Sequence, residues 1–231
     1  MDSKTITREE LAGLFDHTLL KAYASKEDFK KLCEEADEMQ TAMVAINSSP
    51  VKWCAEFLRD SQVHVGAAIS FPLGQTPLEV KVAETKKAIE DGADEIDYVI
   101  NIGELKNGNL EYIEKEMQSI VDVCNENNII SKVIFENCYL TKEEIVSVAK
   151  IAKKVKPTFV KTSTGFGTGG ATVEDVKLMK ETVGDDVQVK AAGGIRDWEA
   201  CAAMIDAGAT RIGTSSAKKI LEGYDEAHVS N

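Results

Sequence analysis

Asp91-Gly92-Ala93-Asp94-Glu95-Ile96-Asp97-Tyr98-Val99-Ile100-Asn101 carries the reading of the fold. A helical pattern over residues 77–91 stops at Gly92, where a helix C-cap wants a left-handed residue, and a β-rich run follows at once. The same junction returns at Ala207-Gly208-Ala209, ahead of a run at residues 211–213. Working outward from these two points, β-rich runs fall at residues 16–18, 42–47, 64–70, 95–101, 132–136, 159–162, 188–191 and 211–213. Helical patterns follow them at 26–39, 50–60, 77–91, 110–127, 142–154, 173–183, 198–207 and 217–222, and an amphipathic stretch at 7–15 precedes the first strand. Ser25 and Thr141 read as N-caps, and Thr172-Val173-Glu174-Asp175 as a capping box with Asp at the third position. Eight strand–helix units predict an α/β fold, a single-domain (β/α)8 TIM barrel with an extra N-terminal helix. An open sheet of that width would need edge strands with visible polar protection. The domain is expected to span residues 1–231, with 223–231 as a frayed tail.

Composition agrees with one globular domain, since 43% of the 231 residues are apolar and 29% charged. The 27 basic and 39 acidic residues leave a net charge of −12, which repels nucleic-acid backbones and anionic membrane surfaces. Neither partner is expected, and any anion site must be local. No run approaches the ~18 apolar residues of a membrane span, and Met1-Asp2-Ser3-Lys4-Thr5 lacks the layout of a signal peptide, so a cytoplasmic location is expected. Five cysteines without a C-x-x-C pair and three scattered histidines suit neither a disulfide framework nor a metal cage.

If the fold is a barrel, chemistry belongs at the C-terminal ends of the strands. Lys161 sits inside the apolar run Phe159-Val160-Lys161-Thr162, and Lys190 at the matching point of Val187-Gln188-Val189-Lys190-Ala191. Burial and mutual repulsion of two ammonium groups push at least one pKa toward neutrality, which makes a nucleophilic amine able to form a Schiff base. The bland alternative is that each lysine snorkels or pairs with a carboxylate. Asp97 interrupts its own apolar strand and shares a face with Glu95, Val99 and Asn101. It is either a proton-relay partner of Lys161 or Lys190 or a structural ion pair. Asp16 is a weaker candidate that could equally cap the next turn or fasten the barrel floor. Small-residue turns containing Thr164, Gly165, Gly193, Gly194, Gly213, Ser215 and Ser216 converge on the last three strands, where backbone amides and hydroxyls can cradle a phosphate. Gly165–Gly170 lacks the ending of a P-loop, and Cys138 has no histidine near it in sequence. Trp53 and Trp198 read as packing groups.

With those segments in view, the chain resembles the deoxyribose-phosphate aldolase family. The resemblance runs from Asp16-His17-Thr18-Leu19-Leu20-Lys21 through Phe71-Pro72-Leu73-Gly74, Glu79-Val80-Lys81 and Asp94-Glu95-Ile96-Asp97 to Lys161-Thr162-Ser163-Thr164-Gly165-Phe166, Lys190-Ala191-Ala192-Gly193-Gly194 and Gly213-Thr214-Ser215-Ser216. It implies a class I lyase in which Lys161 forms the Schiff base, Lys190 tunes it and Asp97 relays protons. It further implies that Asp16, Thr164, Gly165, Gly193, Gly194, Gly213, Ser215 and Ser216 bind a phosphosugar that is cleaved to two aldehydes. No cofactor and no metal are implied, and a homodimer is compatible. Ser70 stands where the family usually has Gly, Ala22 where it often has Pro, and Asn47-Ser48-Ser49-Pro50 where Asn-Pro is commoner. A transaldolase-like or PLP-dependent barrel and a non-catalytic sugar-phosphate sensor are the rival readings.

Overall fold

The computed structural model describes residues 1–228, so part of the expected tail, residues 229–231, lies outside it. Eight parallel strands close into a barrel in sequence order. They are β1 (Phe15–Thr18), β2 (Met43–Asn47), β3 (His64–Ile69), β4 (Glu95–Val99), β5 (Ile130–Ile134), β6 (Phe159–Lys161), β7 (Gln188–Ala192) and β8 (Arg211–Thr214). The helices are α1 (Arg8–Ala12), α2 (Lys26–Met39), α3 (Val51–Phe57), α4 (Leu78–Glu90), α5 (Ile102–Lys106), α6 (Leu110–Glu126), α7 (Lys142–Val155), α8 (Val173–Val183), α9 (Trp198–Asp206) and α10 (Ala217–His228). The short α5 was not expected; Asn101 caps it by accepting from the Glu104 N–H. Among the described residues no helix is long and apolar enough to cross a membrane.

Local sequence explains the boundaries. Ser25 and Thr141 each form a reciprocal capping box, with Asp28 and Glu144. Thr172 caps α8, but the carboxylate of Asp175 turns to Lys142 at 2.5 Å, so that box is only half made. Gly92 and Gly208 take the left-handed conformation expected after α4 and α9. The frayed tail is corrected. Residues 223–228 continue α10, because Tyr224 donates from its hydroxyl to the Ile6 carbonyl at 2.7 Å and packs edge-on against Trp198 with ring centres 5.0 Å apart. Arg8 on α1 pairs with Asp225 at 3.0 Å and closes the same seam.

Strand alternation sorts the inward positions into three tiers. Met43, Glu95, Phe159 and Arg211 form the lowest; Asp16, Gly66, Lys132 and Lys190 the middle; Ala45, Asp97, Lys161 and Gly213 the upper. A barrel interior is ordinarily filled with branched aliphatic side chains. Here charged groups fill most of it, and the aliphatic core lies between strands and helices, in residues such as Ile46, Ile69, Ile96, Val133 and Val160. Met43 occupies the space opened by Gly66, where an added Cβ would lie 2.1 Å from the Met43 sulfur.

The β3–α4 segment shows why glycine is usual at position 70. Ser70 sits at φ 50, a left-handed conformation that costs any residue with a Cβ. Its hydroxyl offsets that by donating to Thr76 Oγ1 at 2.7 Å, and its N–H donates to Glu84 at 2.9 Å. Four residues on, Gly74 lies at φ 69 against the Ile100 carbonyl oxygen, 2.0 Å from where a Cβ would be. Gly74→Ala therefore combines left-handed strain with a backbone clash and is expected to destabilise the protein by about 2–4 kcal/mol in urea unfolding. A loss below ~1 kcal/mol would mean that this loop moves freely off β4.

Candidate active site

Register brings the two predicted lysines side by side, with Lys161 on β6 paired directly to Lys190 on β7. Both reach the same oxygen. Lys161 Nζ donates to Asp97 Oδ2 at 2.8 Å and Lys190 Nζ to Asp97 Oδ2 at 2.6 Å. Asp97 on β4 is paired in register with Lys132 on β5, and Lys132 Nζ donates to Asp97 Oδ1 at 2.6 Å. One carboxylate thus holds three ammonium groups, all essentially excluded from solvent.

The cluster continues downward. Lys132 also pairs with Glu95, and Lys190 with Asp16. Arg211 bridges these arms, donating to Asp16 Oδ1 at 2.7 Å and to both oxygens of Glu95 at 3.2 Å. Half-exposed His64 meets Glu95 from the floor at 2.8 Å. Apart from that histidine, four cations meet three carboxylates, Asp16, Glu95 and Asp97. A neutral Lys161 removes the excess.

The electrostatics select the same residue. Burial lowers the Lys161 pKa most; Asp97 opposes that, and Lys190 and Lys132 push it down further, to about 8. Compared with an ordinary lysine at 10.5, the free amine at neutral pH is roughly 300-fold more abundant. Burial penalises the charge on Lys132 too, yet Asp97 and Glu95 outweigh it and raise its pKa. Against the same burial penalty, the lysines hold the Asp97 carboxyl well below its usual range.

A cavity of about 730 Å³ opens over Lys161 at the C-terminal ends of β1 and β6–β8. Thr164, Gly165, Gly193, Gly194, Gly213 and Ser215 line it, as do Lys21 and Arg196. Asp97 and Lys190 do not line it; Lys161 does, and Asp97 Oδ2 joins the two lysines. Gly193 and Gly194 are left-handed at φ 87 and 81, which turns the chain tightly toward the start of α9. Gly213 makes room: a Cβ there would come 3.2 Å from Lys190 Cε and 2.9 Å from Ala192 Cβ. Glu136, itself left-handed at φ 58, anchors the β6 loop by accepting the Thr164 N–H at 3.1 Å and its hydroxyl.

Two expected substrate contacts fall elsewhere. Asp16 is fully buried beneath the cavity between Lys190 and Arg211, in the fastening position that was its alternative reading. Ser216 does not line the cavity, and its N–H donates to Thr214 Oγ1 at 2.9 Å. Sequence reasoning missed Lys132, Arg211 and Glu136. A signal existed for Lys132, a charge on the inward face of its strand, but in the sequence it marks only the start of the expected run at residues 132–136. Lys132→Met should leave Glu95 and Asp97 short of a partner and cost about 3–5 kcal/mol at neutral pH. The depressed carboxyl of Asp97 contributes stability that is complete above ~pH 4 and lost as pH falls through its folded value. The deficit of the variant, measured by unfolding across pH, should accordingly narrow below about pH 4.

Comparison with known proteins agrees with the geometry. Residues 11–223 match the model of the DeoC/LacD family aldolases. A deoxyribose-phosphate aldolase of Lactobacillus acidophilus is 56% identical over 216 residues, covering 94% of this chain and 91% of the relative. One of Thermococcus gammatolerans is 53% identical over 220 residues, covering 94% and 98%. Among solved structures, the deoxyribose phosphate aldolase of Aeropyrum pernix, described as a tetramer, superposes with a TM-score of 0.89 at 30% identity, over 96% of this chain and 93% of that one. With its closed (β/α)8 barrel and a family match over nearly its whole length, the chain belongs to the DeoC/LacD aldolase family of enzymes.

Proposed function

We propose that the enzyme reversibly cleaves 2-deoxy-D-ribose 5-phosphate to acetaldehyde and D-glyceraldehyde 3-phosphate through a Schiff base on Lys161. The observation that carries this reading is the sharing of Asp97 Oδ2 by Lys161 and Lys190 directly beneath the cavity, with Lys161 lowered to about 8. A nucleophilic amine at neutral pH is what carbonyl chemistry by lysine requires.

In this reading neutral Lys161 Nζ adds to the C1 aldehyde of the open-chain sugar, and loss of water leaves a protonated imine. The C3 hydroxyl gives its proton through a water to Asp97, with Lys190 holding that carboxylate in place. The electron pair of the C2–C3 bond moves into the iminium, releasing glyceraldehyde 3-phosphate and leaving an enamine. Protonation at C2 regenerates the imine, and hydrolysis frees acetaldehyde and Lys161. The iminium is the electron sink, so the scheme asks for no metal and no cofactor.

The cavity rim supports the phosphate assignment. Gly193, Gly194 and Ser215 face it, with Gly165 and Thr164 on the β6 side and Arg196 also among the lining residues. The start of α10 follows Ser215 and Ser216, and a helix N-terminus favours an anion. Backbone amides suit a chain of net charge −12, which offers no broad basic surface. A non-catalytic sugar-phosphate sensor would use the same rim but has no need for Lys161.

Borohydride with acetaldehyde should trap an ethyl adduct on Lys161, read by peptide mass spectrometry, with a pH midpoint near 8. Lys161→Arg should abolish trapping and cleavage, because guanidinium stays protonated. An adduct on Lys190, or activity that EDTA removes and a divalent metal restores, would overturn the assignment. Lys190→Leu should slow cleavage by roughly 10²-fold or more while the protein stays folded. Ser215→Glu should lower kcat/KM chiefly for the phosphorylated sugar; an equal fall for the unphosphorylated sugar would place the phosphate elsewhere.

A further inference from the structure

The motif Glu79-Val80-Lys81 is not used by the chemistry above, and Lys81 is among the most deeply buried charged residues of the protein. It lies on α4 and pairs with Glu116 on α6 at 2.7 Å, both side chains fully excluded from solvent. Two ions in such a place cost more desolvation than a well-packed apolar pair would, so their retention calls for a reason other than adhesion between helices.

The hydrogen bonds supply one. Lys81 Nζ donates to the Val99 carbonyl at 2.7 Å, and Glu116 accepts the Asn101 N–H at 2.9 Å. These backbone groups lie where β4 leaves the barrel, two and four residues beyond Asp97. Pairing between β3 and β4 ends at Ile69 and Tyr98, because the chain turns away at left-handed Ser70. Beyond that point the β3 side of β4 has no strand neighbour, and the ion pair stands in for one. Glu84, one turn along α4, does the same for adjacent strand ends, accepting from the Ser70 N–H at 2.9 Å and the Ser48 hydroxyl at 2.7 Å.

We infer that Lys81 and Glu116 are positioning residues for the aldol reaction, holding the end of β4 so that the Asp97 carboxylate stays within hydrogen-bond reach of Lys161 and Lys190. This rests on the Schiff-base reading. The pair touches neither the cavity nor the reacting groups and acts through the β4 backbone. An apolar pair of similar volume can replace its packing but cannot bond Val99 and Asn101.

The test is Lys81→Met/Glu116→Leu, compared with wild type in thermal unfolding, in kcat and KM for deoxyribose 5-phosphate, and in the pH midpoint of borohydride trapping with acetaldehyde. The double variant should melt within a few degrees of wild type. Its kcat should fall by about 10–100-fold, as for displacement of a reacting group by roughly an ångström. KM should change little, because the rim assigned to phosphate belongs to β6–β8 on the other side of the barrel. The trapping midpoint should fall, since Asp97 supports the Lys161 ammonium. Glu116→Gln, which keeps an acceptor for Asn101, should retain most of kcat. Where the double variant does not fold, Lys81→Met alone, in which Glu116 can take up a proton, is read the same way. A folded variant with wild-type kcat and midpoint overturns the inference, and so does failure of both variants to fold, which would assign the pair to stability. Absence of any adduct in wild type would instead sink the Schiff-base reading.

Discussion

One carboxylate, Asp97, holds three ammonium groups inside a closed barrel, and most of the interior is arranged around that fact. An isolated ion at such depth would be neutralised or driven out. Each charge persists because a neighbour in its own or an adjacent tier supplies a counter-charge. Lys132 leans on Glu95, Lys190 on Asp16, and Arg211 ties Asp16 to Glu95. The network has one cation more than it has carboxylates, and Lys161, at the top and nearest the cavity, is the member that burial pushes toward the neutral amine. Structure and reactivity are in this sense one electrostatic problem. Burial, helped by the positive charge of Lys190 and Lys132 beside it, is what leaves Lys161 able to lose its proton.

The space for this cluster is made by small residues. Gly66 admits the Met43 side chain, and Gly213 admits the Lys190 stem. Ala45 in the upper tier leaves the cavity above Lys161 open. The aliphatic core has moved outward to the strand–helix layer, where Ile, Val and Leu from both elements are buried together. The barrel interior can thus be polar without the domain lacking a core, because hydrophobic burial is supplied by the outer layer.

Much of the fold and part of the site were legible along the chain. Alternating β-rich and amphipathic segments with glycine stops at Gly92 and Gly208 indicated the βα repeat, since backbone conformation and side-chain period are local properties. Lys161, Lys190 and Asp97 stood out because a charge within an apolar strand is anomalous wherever that strand ends up. Ser70 was visible as a departure from the family, but the physical reason for the usual glycine, a left-handed φ of 50, required the structure. The end of α10 was misjudged, because what orders residues 223–228 is contact with Ile6, Arg8 and Trp198, distant in sequence.

By itself the sequence marked Lys161, Lys190 and Asp97 as anomalous, and determined that a parallel barrel would carry them toward the C-terminal ends of its strands. It could not determine who meets whom. Whether Asp97 faces one lysine or three, whether Asp16 touches substrate or fastens Lys190, and whether Lys81 is a surface charge or a buried clamp all depend on barrel register and closure. Those bring β4, β5, β6 and β7 around one oxygen-bearing group and set α4 against the end of β4. Charge–charge interactions and desolvation act through space, so pairing, burial and the resulting proton affinities were decided only once the chain had folded.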